Sequence, residues 1–170
     1  MNLDEFKSSL DSEAQRKAVL LSIRPKWCEL IASGKKTIEV RKTRPNLETP
    51  FKCYIYETRG FERVGNENLN CVVGGNGRGA VIGEFVCNRI ESTNCFSGWV
   101  CPEKNNIIKR FLDGSCLSER EIVDYADGCA VCGWHISELK VYDKPKKLSE
   151  FGVSRAPQAW RFIDDSDKRI

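Results

Sequence analysis

The chain has 170 residues, 41% hydrophobic and 30% charged, with a formal net charge of +3. That is the size and make-up of one ordinary globular domain, long enough to bury a core without disulfides or metal. No apolar run approaches the roughly 18–20 residues of a membrane span, and acidic residues precede the first apolar run, so neither a span nor a secretory signal is expected.

The elements follow in chain order. Leu3, Phe6 and Leu10 stand at helical spacing, so residues 1–17 read as a short helix or an arm. Ala18-Val19-Leu20-Leu21-Ser22-Ile23 reads as a buried strand. Pro25 opens a helix over 25–33, with Trp27, Leu30 and Ile31 on one face, and Gly34 ends it. The period then changes to alternation: Ile38 and Val40 point one way, Thr37, Glu39 and Arg41 the other. Residues 43–50 form a loop and 51–58 a strand. The stretch 59–78, rich in Gly towards its end, reads as a flexible loop. A strand over 80–90 bends at Gly83, and a loop follows over 92–102. Ile107, Ile108, Phe111 and Leu112 mark a helix closed by Gly114. Ser118 and Glu121 form a capping-box pattern before the next helix, which Gly128 stops. A strand over 130–142 slips in parity, predicting a bulge near Ser137 and Glu138. After a turn over 144–152, a strand over 158–163 ends the fold, and residues 164–170 fray. Strands and helices do not alternate regularly, so the class is α+β with a small mixed β-barrel and peripheral helices, in one domain over 18–163.

Charge is unevenly spread. Residues 24–63 carry net +5 and 140–170 net +3, against −1 over 1–23 and −4 over 64–139. A localised basic zone suits an anionic ligand such as nucleic acid. Nine cysteines, an odd number without a secretory signal, read as reduced thiols in a cytoplasmic protein. Cys129-x-x-Cys132-x-x-His135, with Cys95 and Cys101, has the residue types of a zinc site. One Cys-x-x-Cys on a strand is not enough to assign a metal, and none is expected. The glycines of 74–79 lack the Gly-Lys-Ser/Thr of a phosphate loop.

The sharpest feature is Gly34-Lys35-Lys36-Thr37-Ile38-Glu39-Val40-Arg41. Glu39 and Arg41 share a strand face, about 7 Å apart along the chain. Lys36 sits at the turn, where a long cation is expected to be open to ligand. A carboxylate beside a guanidinium and an ammonium can hold a polar ligand. The same residues also suit a plain surface ion pair.

This stretch resembles the ASCH domain family, whose motif is Gly-x-Lys-x-x-Glu-x-Arg. Gly34, Lys36, Glu39 and Arg41 occupy its four positions. Ser22-Ile23-Arg24-Pro25, Val81-Ile82-Gly83-Glu84-Phe85, Trp134-His135-Ile136-Ser137 and Ala156-Pro157-Gln158-Ala159-Trp160 are similar to segments of small bacterial and phage-type members. The resemblance implies a PUA-like β-barrel with a basic cleft beside its first helix. It implies recognition of RNA or a modified nucleoside there by Lys36, Glu39 and Arg41, with Arg24, Trp27 and Lys35 at the rim. Trp27, Tyr54 and Tyr56 are candidate stackers of bases. Some small members hydrolyse the acetyl amide of N4-acetylcytidine with a catalytic Lys, a Thr three positions later and a distant carboxylate. Here Glu39 stands in the place of that Thr, and Glu84 is the candidate carboxylate. Were the chain an amidohydrolase, Lys36 would polarise the carbonyl and Glu39 would activate water. A protein-interaction module is the third reading. No cofactor and no membrane contact is expected, and no protein partner is indicated.

Overall fold

The computed structural model describes residues 17–64, 71–74, 76–94 and 104–165. The expected N-terminal helix, Cys95, Cys101 and most of the tail lie outside the described residues. The order is β1 (Lys17–Ile23), α1 (Pro25–Ala32), β2 (Ile38–Arg41), β3 (Phe51–Glu57), β4 (Phe61–Val64), β5 (Cys71–Gly74), β6 (Ala80–Thr93), α2 (Lys104–Ser115), α3 (Glu119–Ala126), β7 (Val131–Lys146), a 3-10 turn (Leu148–Phe151) and β8 (Trp160–Asp164).

The expected local signals act as read. The Arg24 carbonyl accepts from the amides of Trp27 and Cys28 to start α1. Gly34 takes φ +73° behind it, and Lys36 N donates to Leu30 O at 2.9 Å, closing the helix end. The capping box of Ser118 and Glu121 is formed at α3. Glu138 takes φ 49° inside β7, at the expected irregularity. Gly83 is a close backbone approach: a Cβ there would lie 2.6 Å from the Lys140 carbonyl oxygen.

The class is α+β, but the expected barrel does not form. The six-stranded sheet has the order β2-β7-β6-β3-β1-β8, and among the described residues β4 and β5 pair only with each other. A barrel needs every strand to have two neighbours; β2 and β8 each have one, so among the described residues the sheet is open. The reason is visible at β2. In an antiparallel ladder alternate residues turn their backbone groups outward. Thr37 O accepts from Ile136 N on the β7 side, so the Ile38 carbonyl faces away. There it meets the Lys36 ammonium, and Thr37 N donates to Gly114 O of α2. A helix end and a lysine occupy the edge where a closing strand would lie.

The stretch 59–78 is also corrected: it is not a loop throughout. Residues 61–64 and 71–74 form an antiparallel pair, and Gly77 N donates to Arg59 O at 3.0 Å.

The chain divides into two compact units, Met1–Glu29 with Lys52–Phe85 and Lys140–Ile170, and Leu30–Phe51 with Val86–Leu139. In the first, β1 runs parallel to β3 and antiparallel to β8. Its core holds Ala18, Leu20, Tyr54, Tyr56, Val81, Phe151, Val153 and Ile163. In the second, β2 pairs antiparallel with β7, and Ile38 and Val40 pack with Phe111, Ile122, Ala126 and Val131.

Candidate functional site

The turn at Gly34 delivers Lys36 inward rather than out. Lys36 is only 2% exposed, which corrects the expectation of a solvent-reaching cation. Its ammonium donates to the carbonyls of Ile38 and Ser115, both at 2.8 Å, and lies 3.3 Å from Glu39 Oε2. Those are three oxygen partners for three N–H groups. Glu39 Oε1 lies 3.0 Å from Arg41 Nη2. Glu39 is 7% and Arg41 9% exposed. The carboxylate thus bridges two cations in a buried network of net charge +1. Strand alternation puts Glu39 and Arg41 on one face, as read. Their neighbours across the ladder are Trp134 and Cys132, both buried. Trp134 packs edge-on against Phe51 with ring centroids 5.8 Å apart. The polar face of β2 is therefore enclosed, and the pair is no surface ion pair. Sequence reasoning missed the part of Ser115, because a main-chain carbonyl leaves no signature in residue type.

The other expected contacts are placed as follows. Lys35 is exposed, and its carbonyl accepts from Cys116 Sγ at 3.4 Å. Arg24 and Trp27 belong to the first unit. Arg24 is exposed; Trp27 is half-buried, with the Lys26 ammonium 4.4 Å from its ring centroid. Tyr54 and Tyr56 are core residues rather than open stackers. Tyr54 donates to Asp165, and burial together with that carboxylate pushes its hydroxyl pKa up. Glu84, the candidate distant carboxylate, accepts from the Tyr142 hydroxyl.

The ASCH domain profile matches residues 21–146. The chain belongs to the ASCH domain family. This family lies in the PUA-like superfamily, and RNA binding is its general function. The ASCH protein of Zymomonas mobilis is similar to this domain, with 22% identity and a TM-score of 0.62 over 86% of this chain and 87% of that one. Two point-mutant forms of that protein match with 22% and 21% identity and TM-scores of 0.62 and 0.63, over 87% and 86% of this chain and 89% and 90% of theirs. At this identity the likeness concerns the fold. No curated protein matches the chain. Among the described residues of this ASCH domain, no helix is long and apolar enough to cross a membrane.

In this ASCH domain Cys132 and His135 do not converge on a metal. Their odd separation along β7 puts them on opposite strand faces. Cys132 Sγ lies 3.3 Å from Ser92 Oγ, while the His135 ring faces Arg89 and Glu91. Glu91 also accepts from Arg110. Burial, reinforced by the Arg89 charge, lowers the His135 pKa; Glu91 opposes this and Arg110 adds to it. A histidine with a depressed folded pKa binds its proton more readily when unfolded. Its contribution is therefore present above the ordinary value of 6.5 and is lost as pH falls through that value towards the folded one. The expected result is a melting temperature that drops more steeply below about pH 6.5 in the native chain than in His135→Asn. Paired thermal melts across that range measure it; parallel curves would contradict it.

Proposed function

We propose that this ASCH domain recognises RNA or a modified nucleoside, with Glu39 and Arg41 as the contact set, the buried Lys36 holding Glu39 in place, and Lys35 as an outer phosphate contact. The observation that carries this reading is the Glu39 carboxylate held between two buried cations. Burying three charges is expensive, and an apolar trio of similar size would serve a purely structural edge at least as well. Donors and an acceptor fixed side by side are the means of reading a base edge. Both Glu39 oxygens already face cations, which favours recognition over service as a free general base.

Calorimetric titration with single-stranded oligoribonucleotides and with free modified nucleosides, N4-acetylcytidine included, tests the reading. Binding to RNA should weaken as salt rises, because contacts with phosphates release counterions. Lys35→Ala should weaken all RNA sequences alike, and Arg41→Lys should lose discrimination among nucleosides, since the planar fork is gone. No binding of either ligand class at low salt would overturn the proposal. Acetate release from N4-acetylcytidine would replace it with the amidohydrolase reading.

A further inference from the structure

Strands β1 and β3 are parallel, so their C-terminal ends lie together. Ile23 is in register with Glu57, and Thr58 N donates to Ile23 O at 2.9 Å. Arg24 follows β1 and Arg59 follows β3 at this end, and both are exposed. Residues 77–79 come close to this end. A Cβ on Gly77 would fall 1.8 Å from the Thr58 carbonyl oxygen and 2.7 Å from Pro25 Cγ. A Cβ on Gly79 would fall 2.8 Å from Arg59 Nε. The glycines let the turn approach so closely that Arg78 meets Glu57. The Arg78 amide donates to Glu57 Oε1 and its Nη1 to Oε2, both at 3.2 Å. Glu57 is 6% exposed, whereas the Arg78 side chain is 58% exposed. A buried carboxylate thus grips the main chain and one guanidinium nitrogen, while much of the arginine side chain remains open to solvent.

We infer that Arg78, positioned by Glu57 at the strand end that also carries the exposed Arg24 and Arg59, is a phosphate-binding site for the backbone of single-stranded RNA. The inference rests on the RNA reading above and adds a second contact region, in the first unit. Three guanidinium groups against one carboxylate leave a net charge of +2, which calls for an anion. A planar fork held in place matches a phosphodiester and loses little freedom on binding. An anchor for the turn alone would need the Glu57 pairing but neither Arg24 nor Arg59.

Anisotropy titrations of a labelled single-stranded oligoribonucleotide at several salt concentrations test it. Arg78→Ala should weaken binding about tenfold, the scale of one charge-assisted hydrogen bond. It should also reduce the salt slope by about 0.7 for each phosphate that is no longer neutralised. Arg78→Lys should recover part of the affinity. Glu57→Asp, which keeps the carboxylate but shortens its reach to Arg78, should weaken RNA binding while leaving the salt slope at its native value. Free nucleosides, which carry no phosphate, should bind Arg78→Ala as they bind the native chain. Native affinity and slope in both Arg78→Ala and Arg59→Ala would overturn the inference while leaving the RNA reading intact. Failure of the native chain to bind RNA would overturn both. Equal affinity for inorganic phosphate and RNA, abolished together in Arg78→Ala, would overturn the backbone assignment.

Discussion

Lys36→Ala should lower the unfolding free energy by about 3–5 kcal/mol, the usual cost of breaking a buried ion pair. The substitution removes the donor to the Ile38 carbonyl, which faces away from β7, and the donor to Ser115 at the end of α2. The last carbonyls of a helix have no partner within it and favour a nearby cation. It also removes one of the two cations beside Glu39. Lys36→Met keeps most of the volume and should fall between Ala and the native residue. Urea unfolding of the three proteins measures the series. If Lys36→Ala remains within about 0.5 kcal/mol of the native chain, as a surface change would, the network is not holding the edge of β2.

That expectation reverses the one the sequence invites, and the reversal has a physical cause. Alternation in residues 37–41 correctly sorts Ile38 and Val40 from Glu39 and Arg41. It says nothing of what lies over the second face. Trp134 and Cys132, the ladder neighbours there, come from a strand about a hundred residues later. Signals contained in a few residues were legible: the Gly34 helix end, the Ser118 capping box and the irregularity at Glu138. Closure was not, because it depends on which distant strands meet. The edge of β2 is taken by Lys36 and by the Gly114 carbonyl, and neither is written in a strand pattern. The pairing of residues 61–64 with 71–74 was hidden by the Asn- and Gly-rich segment around it. The same glycines that suggested mobility bring Arg78 onto Glu57, since a Cβ at Gly77 would strike the Thr58 carbonyl and Gly79 takes φ +63°. The motif residues themselves were found by resemblance, while their chemistry, a carboxylate spanning two buried cations, required the fold.

Phe111→Ala should cost about 3–5 kcal/mol, as removal of a fully buried aromatic does. Phe111 is 0% exposed and packs with Ile38, Val40, Ile122, Ala126 and Val131. The ring and Ile38 both lie on the β7 backbone: a Cβ on Gly133 would sit 2.9 Å from Ile38 Cγ2, 3.0 Å from Phe111 Cζ and 3.1 Å from Phe111 Cε1. Gly114 on the helix is matched in the same way, with a Cβ there falling 2.6 Å from Ile38 Cδ1. Two glycines, one on each element, thus set how near α2 comes to β2 and β7. Gly133→Ala should cost about 1–3 kcal/mol by overpacking against the ring and Ile38. The double variant should be destabilised by less than the sum of the two single effects, because the ring's share of the overlap is relieved while that of Ile38 stays. A cycle of denaturant melts gives the coupling directly, and additivity within about 0.5 kcal/mol would refute the ring-on-glycine contact. The consequence reaches the motif. The helix that Phe111 seats ends at Ser115, whose carbonyl accepts from Lys36. Loosening that seat should therefore speed amide exchange at the helix end and weaken ligand binding per folded molecule, although Phe111 lies outside the proposed contact set.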